Sequence, residues 1–338
     1  MNKILVVNVN WLGDVIFSLP VFKALKKAYP NAFVSCLAPP RVKEILESSP
    51  DVDQIIVYDE QGFNRGLWGK LKLIAELRRE KFDIAFLLHR SLTRALLVFL
   101  AGIPKRIGYD TKKRGFLLTH PIKPLTSQVH RMDSYLHVLE SFGIKVEDRT
   151  YQLEVDDFFQ NEIDYFLGNQ GVQANDFLVV VNSGGNWDLK RWPKENFAQL
   201  IKRLVHDFKA KVVIPGGKKD VTLAQEISDL SQVHPIILAG ETGIKQLLAL
   251  MKRSQLVISG DTGPLHLASS VGTRVIGLFG PTRPETTGVR GRAKFTSLQK
   301  DVGCNREPCY YLACPHNVCM QSITVEDVIK EVRRIKDS

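Results

Sequence analysis

The sequence predicts an α/β protein with two doubly wound parallel sheets, one in each half of the chain. The first observation is length, because 338 residues are enough for two domains of ordinary size. The second is the alternation of strand and helix patterns along the chain, which is typical of parallel sheets. The third is a more polar stretch, residues 147–176, that separates two such series. We therefore expect one sheet on either side of this stretch.

The first series begins with an apolar run and continues with helices of clear periodicity. Val15, Leu19 and Phe22 follow helical spacing, and Tyr29-Pro30 ends that helix. Short apolar runs bounded by turn residues predict strands at residues 3–9, 33–37, 54–58, 84–88 and 106–109. The same reasoning predicts helices at residues 14–28, 42–47, 68–80, 93–101 and 131–142.

The second series follows a single predicted helix, residues 158–167, within the polar stretch. Its strands are expected at residues 177–182, 212–215, 236–239, 256–258 and 275–279. Its helices are expected at residues 196–208, 221–230, 244–251, 266–271 and 324–335.

Residues 259–287 are the most informative part of the chain. An apolar run leads into a polar turn that contains Asp261, Thr262 and Gly263, and a helix and a second buried strand follow. Both strands end at the same edge of the sheet, where ligands of open α/β sheets bind and where a helix N-terminus offers N–H groups to a phosphate. His266 lies in the first turn or so of that helix, so we assign it a binding role in preference to a structural one, and disfavour metal ligation.

Three further turns are expected at the same edge of the second sheet. Ser183 follows the first strand of this half in a glycine-rich turn, and Lys190 comes shortly after it. Residues 215–220 and 240–243 form the other two turns. A lysine beside backbone N–H donors suits a diphosphate, although a solvated Lys-Arg pair is the alternative. Together the turns predict a crevice of nucleotide size.

The turn after the first strand, residues 10–14, places Gly13 and Asp14 at the carboxyl edge of the first sheet. A carboxylate at such an edge can act as a general base. It can equally be an acidic residue that is favoured by the helix dipole. The turn lacks the GxGxxG fingerprint, so the usual dinucleotide-binding turn is not predicted.

The net charge of +10 is concentrated in the first half of the chain. Residues 1–150 hold 23 Lys and Arg against 15 Asp and Glu, and residues 90–114 hold seven cations against one anion. Nucleic acid, an anionic membrane surface and a phosphorylated glycan would all suit this region, and a solvated basic face is the alternative. No apolar run approaches the roughly 20 residues of a membrane span, and no signal peptide is recognisable, so a cytoplasmic location is expected.

Five cysteines are present, and Cys36 alone lies on a predicted strand, as a core residue would. The other four, Cys304, Cys309, Cys314 and Cys319, are spaced five residues apart in a loop that contains prolines. Four thiolates could complete a tetrahedral metal site, but the CxxC spacing of such sites is absent. We therefore favour free thiols over a metal.

Three motifs together resemble the ADP-heptose:lipopolysaccharide heptosyltransferases. They are NWLGD with VIFSLPVFKALKKAYP, then KRWP, then SGDTGPLHLASSVGTRVIGLFGPT, and they span nearly the whole chain. NWLGD and CNREPCYYLACPHNVCM are most similar to the heptosyltransferase II branch. The resemblance implies the GT-B architecture, with two Rossmann-like doubly wound domains that face each other across a cleft. The expected divisions are an acceptor-binding domain at 1–150, a nucleotide-sugar-binding domain at 151–323 with a Cys-rich loop at 304–319, and a C-terminal helix at 324–338.

The resemblance also implies an inverting transferase that needs neither a metal nor another cofactor. Asp14 would deprotonate the acceptor hydroxyl, and Lys190 would hold the donor diphosphate and steady the leaving ADP. The other implied donor contacts are Asp261 to heptose hydroxyls, Thr262, Gly263 and His266 to the diphosphate and sugar, and Ser183 to a phosphate. The implied acceptor contacts, to phosphates of the inner core of lipid A, are Arg94, Arg106, Arg114 and Arg131.

The expected reaction is transfer of L-glycero-D-manno-heptose from ADP-heptose to heptosyl-Kdo2-lipid A, by a protein in peripheral contact with the anionic inner membrane. One turn departs from the family pattern, because some relatives place a nucleoside-binding Glu where this chain has Lys218, Lys219 and Asp220. Two alternatives remain: a transferase for another nucleotide sugar or glycan acceptor, and a non-catalytic protein that binds an anionic polymer. Nucleic-acid binding is not expected, since the chain shows no basic motif interleaved with aromatic residues and no recognition helix.

Overall fold

The computed structural model describes residues 2–126, 128–304, 309, 311 and 314–337. The chain divides into two compact units, Met1–Leu153 and Glu154–Ser338. Each unit contains a six-stranded sheet, and every strand pair in the described residues is parallel. The predicted fold class, two doubly wound parallel sheets, is confirmed.

The first unit has the strand order β3-β2-β1-β4-β5-β6. Successive strands are added on one side of β1 up to β3 and on its other side from β4 onward, so the topological switch point lies between β1 and β4. Its strands are β1 (Lys3–Val7), β2 (Phe33–Ala38), β3 (Gln54–Val57), β4 (Ile84–Leu87), β5 (Lys105–Tyr109) and β6 (His120–Ile122). Its helices are α1 (Leu12–Ala28), α2 (Lys43–Glu47), α3 (Gly66–Glu80), α4 (Leu92–Leu100) and α5 (Arg131–Glu140). Short 3₁₀ turns cover Pro40–Val42 and Gly115–Leu117.

Both faces of the first sheet are covered, which explains why its central strands are apolar throughout. Leu5 and Val7 of β1 share a core with Leu73 and Leu77 of α3 and with Val98 of α4. The alternate side chains of β1 point to the opposite face and are fully buried as well. Helices α1 and α5 pack against each other and α5 lies on β4. A parallel strand buried on two sides must be hydrophobic at every position.

The second unit has the strand order β12-β11-β10-β7-β8-β9. Its strands are β7 (Leu178–Asn182), β8 (Lys211–Gly216), β9 (Ile236–Ala239), β10 (Leu256–Gly260), β11 (Arg274–Phe279) and β12 (Phe295–Gln299). Its helices are α6 (Asp157–Asn169), α7 (Lys194–Phe208), α8 (Val221–Ser231), α9 (Ile244–Arg253), α10 (Gly263–Ser270), α11 (Pro284–Thr287), α12 (Val318–Gln321) and α13 (Val325–Lys336). A 3₁₀ turn covers Asp188–Lys190 and another covers Lys218–Asp220.

Alternate residues of β7 enter two different cores of the second unit. Val179 and Val181 pack with residues of α7, α8 and α13 on one face. Leu178 and Val180 pack with residues of α6, α9 and α10 on the other face. Helices therefore cover both faces of this sheet, so its polar turns lie at the ends of the strands.

Two strands were not predicted, and both lie at the edge of a sheet. β6 has only three residues and contains Pro121, and a proline is tolerated mainly on edge strands. β12 is only partly buried, so its sequence lacks the apolar run of a central strand. Two short helices, α11 and α12, were missed because four residues are too few to show a period.

Trp192 joins the start of α7 to the segment before α13. It is 3% exposed, its indole N–H donates to the carbonyl oxygen of Ile323 at 2.8 Å, and its ring meets Phe197 edge to face. Trp192→Phe removes this donor from a buried carbonyl, so we expect the free energy of unfolding to fall by about 1–3 kcal/mol in urea titrations. Trp68→Phe is the matched control: Trp68 is 79% exposed, and its substitution should stay within about 0.5 kcal/mol. Equal losses in the two variants would contradict this role.

Candidate active site

Asp261, just beyond β10, is the centre of a polar cluster at the carboxyl edge of the second sheet. Its Oδ2 lies 2.7 Å from Lys190 Nζ and accepts hydrogen bonds from the hydroxyls of Thr282 at 2.7 Å and Thr287 at 3.0 Å. His266 Nε2 of α10 lies 3.4 Å from Oδ1. The structure thus brings together Lys190, Asp261 and His266, which the sequence placed at one edge of the sheet.

The side chain of Asp261 is a fixed anion. Burial alone would raise the pKa of its carboxyl group, but the hydrogen bond from His266 and the charge of Lys190 outweigh burial and hold the pKa well below its usual range. The side chains of Asp261 and Lys190 are 4% and 18% exposed, so their charges are only weakly screened by water. The pair is a permanent part of the site.

Gly260 explains how Lys190 reaches this position. A Cβ atom at residue 260 would lie 2.7 Å from the carbonyl oxygen of Lys190, which leaves no space for any side chain there. The Lys190 ammonium group contacts both Oδ2 and, at 3.1 Å, the carbonyl oxygen of Asp261. Since an ammonium group has three N–H donors, these two contacts leave one that can face a ligand.

Polar groups also connect the ends of β7 and β10. The Asn182 amide donates to the hydroxyls of Ser259 at 2.9 Å and Thr262 at 3.2 Å. Thr262 is the residue before α10, and its backbone is extended. At this end of α10 Pro264 has no N–H group, and the Leu265 N–H donates to the Thr262 carbonyl oxygen at 3.1 Å, so Gly263 offers the backbone N–H that can bind an anion. The sequence analysis did not select Asn182, although its place at the end of a buried strand was visible.

Ser183 continues this edge. Its side chain is 2% exposed, and its hydroxyl group has no hydrogen-bond partner among the described residues. Buried hydroxyl groups without a partner are uncommon, so a ligand or a water molecule is expected there. Asp220 lies close by, since a Cβ on Gly184 would be 2.8 Å from its carboxyl carbon. The Asp220 Oδ2 atom accepts a hydrogen bond from the backbone N–H of Gly217 at 3.0 Å, a contact within the turn that contains both residues.

In the first unit, Asp14 lies in the first turn of α1, beyond the carboxyl end of β1. The Tyr135 hydroxyl of α5 donates to Asp14 Oδ1 at 3.0 Å. Burial and the neighbouring Asp14 charge raise the pKa of Tyr135 well above its usual value, so the phenol stays protonated and remains a donor. Tyr135 could not be selected from the sequence, because it follows the spacing of the buried face of α5 like an ordinary core residue.

Trp11 and Arg41 form a second feature near Asp14 that the sequence analysis missed. Trp11 directly precedes α1 and is 54% exposed, and the Arg41 guanidinium group lies 4.8 Å from the centre of its ring. An exposed aromatic ring with a cation on it offers both an apolar surface and a positive charge. Such a surface can hold a sugar ring or an anionic group.

The expectation that Arg94 and Arg114 contact an acceptor does not fit the structure, because neither side chain is exposed. Arg94 donates to the carbonyl oxygen of Asn8 and to Asn10 Oδ1, both at 2.6 Å. Arg114 donates to the carbonyl oxygens of His89 at 2.6 Å and Tyr109 at 2.9 Å. Both therefore fix turns at the carboxyl edge of the first sheet.

The other two predicted arginines differ from these. Arg106 is half-buried and donates to the carbonyl oxygens of Leu117 at 2.7 Å and Ile103 at 2.5 Å. Arg131, the first residue of α5, has an exposed side chain and stays a prediction as an acceptor contact.

The cysteines do not form a cluster in the part of the chain that the structure describes. Cys304 is exposed, Cys309 is buried, Cys314 and Cys319 are intermediate, and the loop 304–319 lies partly outside the described residues. Within the described ranges, no group of three or more His, Cys, Asp or Glu side chains is arranged to hold a metal ion. Burial raises the pKa of the Cys36 thiol to about 12, in agreement with a core position.

Comparison with known proteins identifies the family. The profile of glycosyltransferase family 9 (heptosyltransferase) matches residues 70–319. The chain belongs to this family. It is therefore a glycosyltransferase, and the resemblance found in its motifs is confirmed.

Individual relatives agree with this assignment. The chain is 27% identical over 301 residues to lipopolysaccharide heptosyltransferase 2 of Salmonella typhimurium, covering 84% of each chain. Its fold is similar to that of the glycosyl transferase family 9 protein from Veillonella parvula, with a TM-score of 0.86, 25% identity and coverage of 99% and 97%. It is also similar to Escherichia coli ADP-heptose lps heptosyltransferase II, with a TM-score of 0.80, 24% identity and coverage of 98% of both chains. These structures share the GT-B fold with this chain.

His89, at the carboxyl end of β4, should make stability depend on pH. Burial, with the charges of Arg94 and Arg114, lowers its pKa to about 4, whereas the unfolded chain takes up this proton near pH 6.5. Between these values the unfolded state binds more protons, so stability should fall as the pH decreases from about 6.5 to about 4.

His89→Asn should remove this contribution to the pH dependence of stability. The free energy of unfolding of the wild type, relative to that of His89→Asn, should therefore decrease by about 1–2 kcal/mol as the pH falls through that range, after allowance for solvent screening. The measurement is urea unfolding at several pH values. His206→Asn, at an exposed position of α7, is the control and should leave the wild-type slope unchanged. Parallel curves for wild type and His89→Asn would show that His89 is not the titrating group.

Proposed function

We propose that this glycosyltransferase moves L-glycero-D-manno-heptose from ADP-heptose to the inner core of lipopolysaccharide, at the step that adds the second heptose to heptosyl-Kdo2-lipid A. The observation that carries the proposal is the buried Lys190–Asp261 pair beside the N-terminus of α10. The names of the relatives support the substrates: one is called lipopolysaccharide heptosyltransferase 2, and solved neighbours are described with ADP and with an ADP-2-deoxy-2-fluoro heptose.

The second unit supplies the donor site in this proposal. The remaining N–H donor of Lys190 and the backbone N–H of Gly263 at the start of α10 bind the diphosphate, and the Ser183 hydroxyl gains a phosphate oxygen as its partner. Asp261 and His266 hold heptose hydroxyls, and Thr262 and Gly263 line the diphosphate. The cation that stabilises the leaving ADP is the Lys190 side chain, so the proposal assigns the protein no cofactor.

The first unit supplies the base. The acceptor oxygen attacks the anomeric carbon on the face opposite the diphosphate, the bond from that carbon to ADP breaks, and the acceptor proton passes to the Asp14 carboxylate. The departing ADP carries the negative charge, which Lys190 stabilises. Tyr135 keeps the carboxylate in one orientation through its 3.0 Å hydrogen bond. A single displacement of this kind inverts the configuration at the anomeric carbon.

The acceptor contacts now proposed differ from the original set. Arg131 remains, because its side chain is exposed and it begins the helix whose Tyr135 contacts Asp14. Trp11 with Arg41 joins it, because both side chains are exposed and Trp11 lies three residues before Asp14. The acceptor is a lipid, so we propose that the protein works on the cytoplasmic side of the inner membrane and is bound at its surface. In the described part of the chain, every helix is too short or too polar to cross a bilayer.

The decisive experiment measures ADP release from ADP-heptose with and without heptosyl-Kdo2-lipid A. The wild type should release ADP only with the acceptor. Asp14→Asn should lower this rate by about 10²- to 10⁴-fold, the usual contribution of a general base, while its affinity for ADP stays the same. Asp157→Asn is the matched control, because Asp157 also lies in the first turn of a helix, but in α6. This variant should release ADP at the wild-type rate.

Two results would overturn parts of the proposal. Loss of ADP affinity in Asp14→Asn, instead of loss of turnover, would exclude Asp14 as the base. A folded wild type that binds ADP and transfers nothing from ADP-heptose would favour the alternative of another nucleotide sugar or glycan acceptor.

Gly260→Ala tests the donor site separately. The added methyl group would lie 2.7 Å from the Lys190 carbonyl oxygen, so the turn Asp188–Lys190 must move and the ammonium group must leave its position. We expect affinity for ADP, measured by calorimetry, to fall about tenfold or more, as loss of a charge-assisted contact predicts. Gly168→Ala, where the new methyl group meets no atom within 4 Å, should bind ADP as the wild type does. Unchanged affinity in Gly260→Ala would exclude Lys190 from the donor site.

A further inference from the structure

The outward side of α4 is an apolar stripe in contact with water. Leu92, Leu96, Phe99 and Leu100 are each 42–44% exposed. Their spacing of four, three and one residues places them along one side of the helix. The opposite side, with Ala95 and Val98, is buried in the core of the first unit. This helix is thus apolar on both sides, although only one side has a partner in the fold.

Helix α3 extends this surface. Trp68 and Leu67 are 79% and 71% exposed, and Phe63 in the preceding turn is 74% exposed. Helices α3 and α4 pack side by side, and Arg78 Nη2 of α3 donates to the carbonyl oxygen of Leu100 at 2.7 Å. We call the exposed side chains of residues 63–79 and 92–100 the α3–α4 face. Single exposed apolar residues are common, but these seven lie on two helices that pack side by side and in the turn before one of them, and a group of this size marks an interaction surface.

Cations outnumber anions on this face. Apart from the buried Arg94, its residues include five cations, Arg65, Lys70, Lys72, Arg78 and Arg79, against one anion, Glu76, and all six are exposed or half-buried. Two cations lie beside exposed aromatic rings: Lys72 Nζ is 5.4 Å from the ring centre of Phe63, and the guanidinium of the half-buried Arg106 is 5.2 Å from that of Phe99. The face is therefore both apolar and cationic.

We propose that the α3–α4 face is the surface by which this protein lies on an anionic lipid bilayer. A bilayer provides acyl chains for the leucine and aromatic side chains and phosphate groups for the cations around them, in adjacent layers. Trp68 suits the boundary between these layers, because its indole ring is apolar and carries one N–H donor. The proposal deepens the proposed function, on which it rests for the lipid nature of the acceptor.

Vesicle flotation tests the proposal without any donor or acceptor. The wild type should bind vesicles of phosphatidylethanolamine and phosphatidylglycerol, should bind vesicles of phosphatidylcholine much more weakly, and should dissociate as salt is added. Trp68→Gln with Leu96→Gln should weaken binding to the anionic vesicles about tenfold or more, because the buried apolar area is lost.

The matched control is Tyr165→Gln with Leu230→Gln. Tyr165 of α6 is 75% exposed and Leu230 of α8 is 50% exposed, so this pair removes similar exposed apolar side chains from the second unit. The control should bind the anionic vesicles as the wild type does. A second variant, Lys72→Gln with Arg79→Gln, should weaken binding about tenfold or more and reduce the salt dependence. Its control, Lys252→Gln with Lys330→Gln, removes exposed cations of the second unit and should have no such effect.

Several results would overturn the proposal. One is wild-type binding by the Trp68 and Leu96 double variant, and another is equal loss in the Tyr165 and Leu230 control. Absence of wild-type binding to anionic vesicles would also overturn it. The wild type could also form a dimer in sedimentation equilibrium that the double variant cannot form, without binding vesicles. In that case the face is an interface between two copies of the chain.

Transfer assays on the same variants separate this proposal from the proposed function. With an acceptor dispersed in detergent, the face variants should release ADP at the wild-type rate, since none of the changed residues belongs to the site. Vesicle binding by a wild type that transfers no heptose would reject the proposed function alone. Heptose transfer by a wild type that binds no vesicles would reject the α3–α4 face alone.

Discussion

The buried ion pair between Lys190 and Asp261 is the interaction on which the site of the second unit depends. A carboxylate out of contact with water is tolerated only when its charge is matched and its oxygens are hydrogen-bonded. The partners of Asp261 come from three separate segments: the turn that carries Lys190, helix α10 with His266, and the segment after β11 with Thr282 and Thr287. One carboxylate therefore holds three segments together at the edge of the sheet and fixes the position of the Lys190 cation there.

The turns of the first unit are fixed by buried cations instead. Arg94 and Arg114 place their guanidinium groups among backbone carbonyl oxygens, where a planar group with five donors can satisfy several acceptors at once. Arg94 in this way holds the residues just before Asp14, the proposed base. The consequence is that the net charge of a segment overstates its surface charge, because two of the seven cations in residues 90–114 are internal.

The parts of the molecule that were predictable from sequence are those that local pattern determines. Central strands such as β1 and β10 are buried on both faces, so each contains an apolar run, residues 4–7 and 256–258, whereas β6 and β12 at the edges do not. Asp14, Lys190 and Asp261 were selected as candidates because they come after strand ends. Their partners were not predictable in the same way: Tyr135 is 121 residues from Asp14, and periodicity shows which face a residue occupies but not what it touches. The burial of Arg94 could not be predicted either, because it depends on hydrogen bonds to Asn8 and Asn10, which are distant in the sequence.

The proposed function asks the two units for opposite surface properties. A nucleotide sugar is soluble and highly charged, so its site needs fixed donors at a sheet edge, and the proposed donor site has such groups in Lys190 and the Ser183 hydroxyl. A lipid-linked acceptor stays in a bilayer, so the unit that meets it needs an apolar, cationic surface of its own. Exposed leucine and aromatic side chains gather on α3 and α4, in the unit that carries Asp14. Because α3 and α4 pack against the sheet that ends beside Asp14, the proposed membrane contact and the placement of the proposed base depend on the same hydrophobic core.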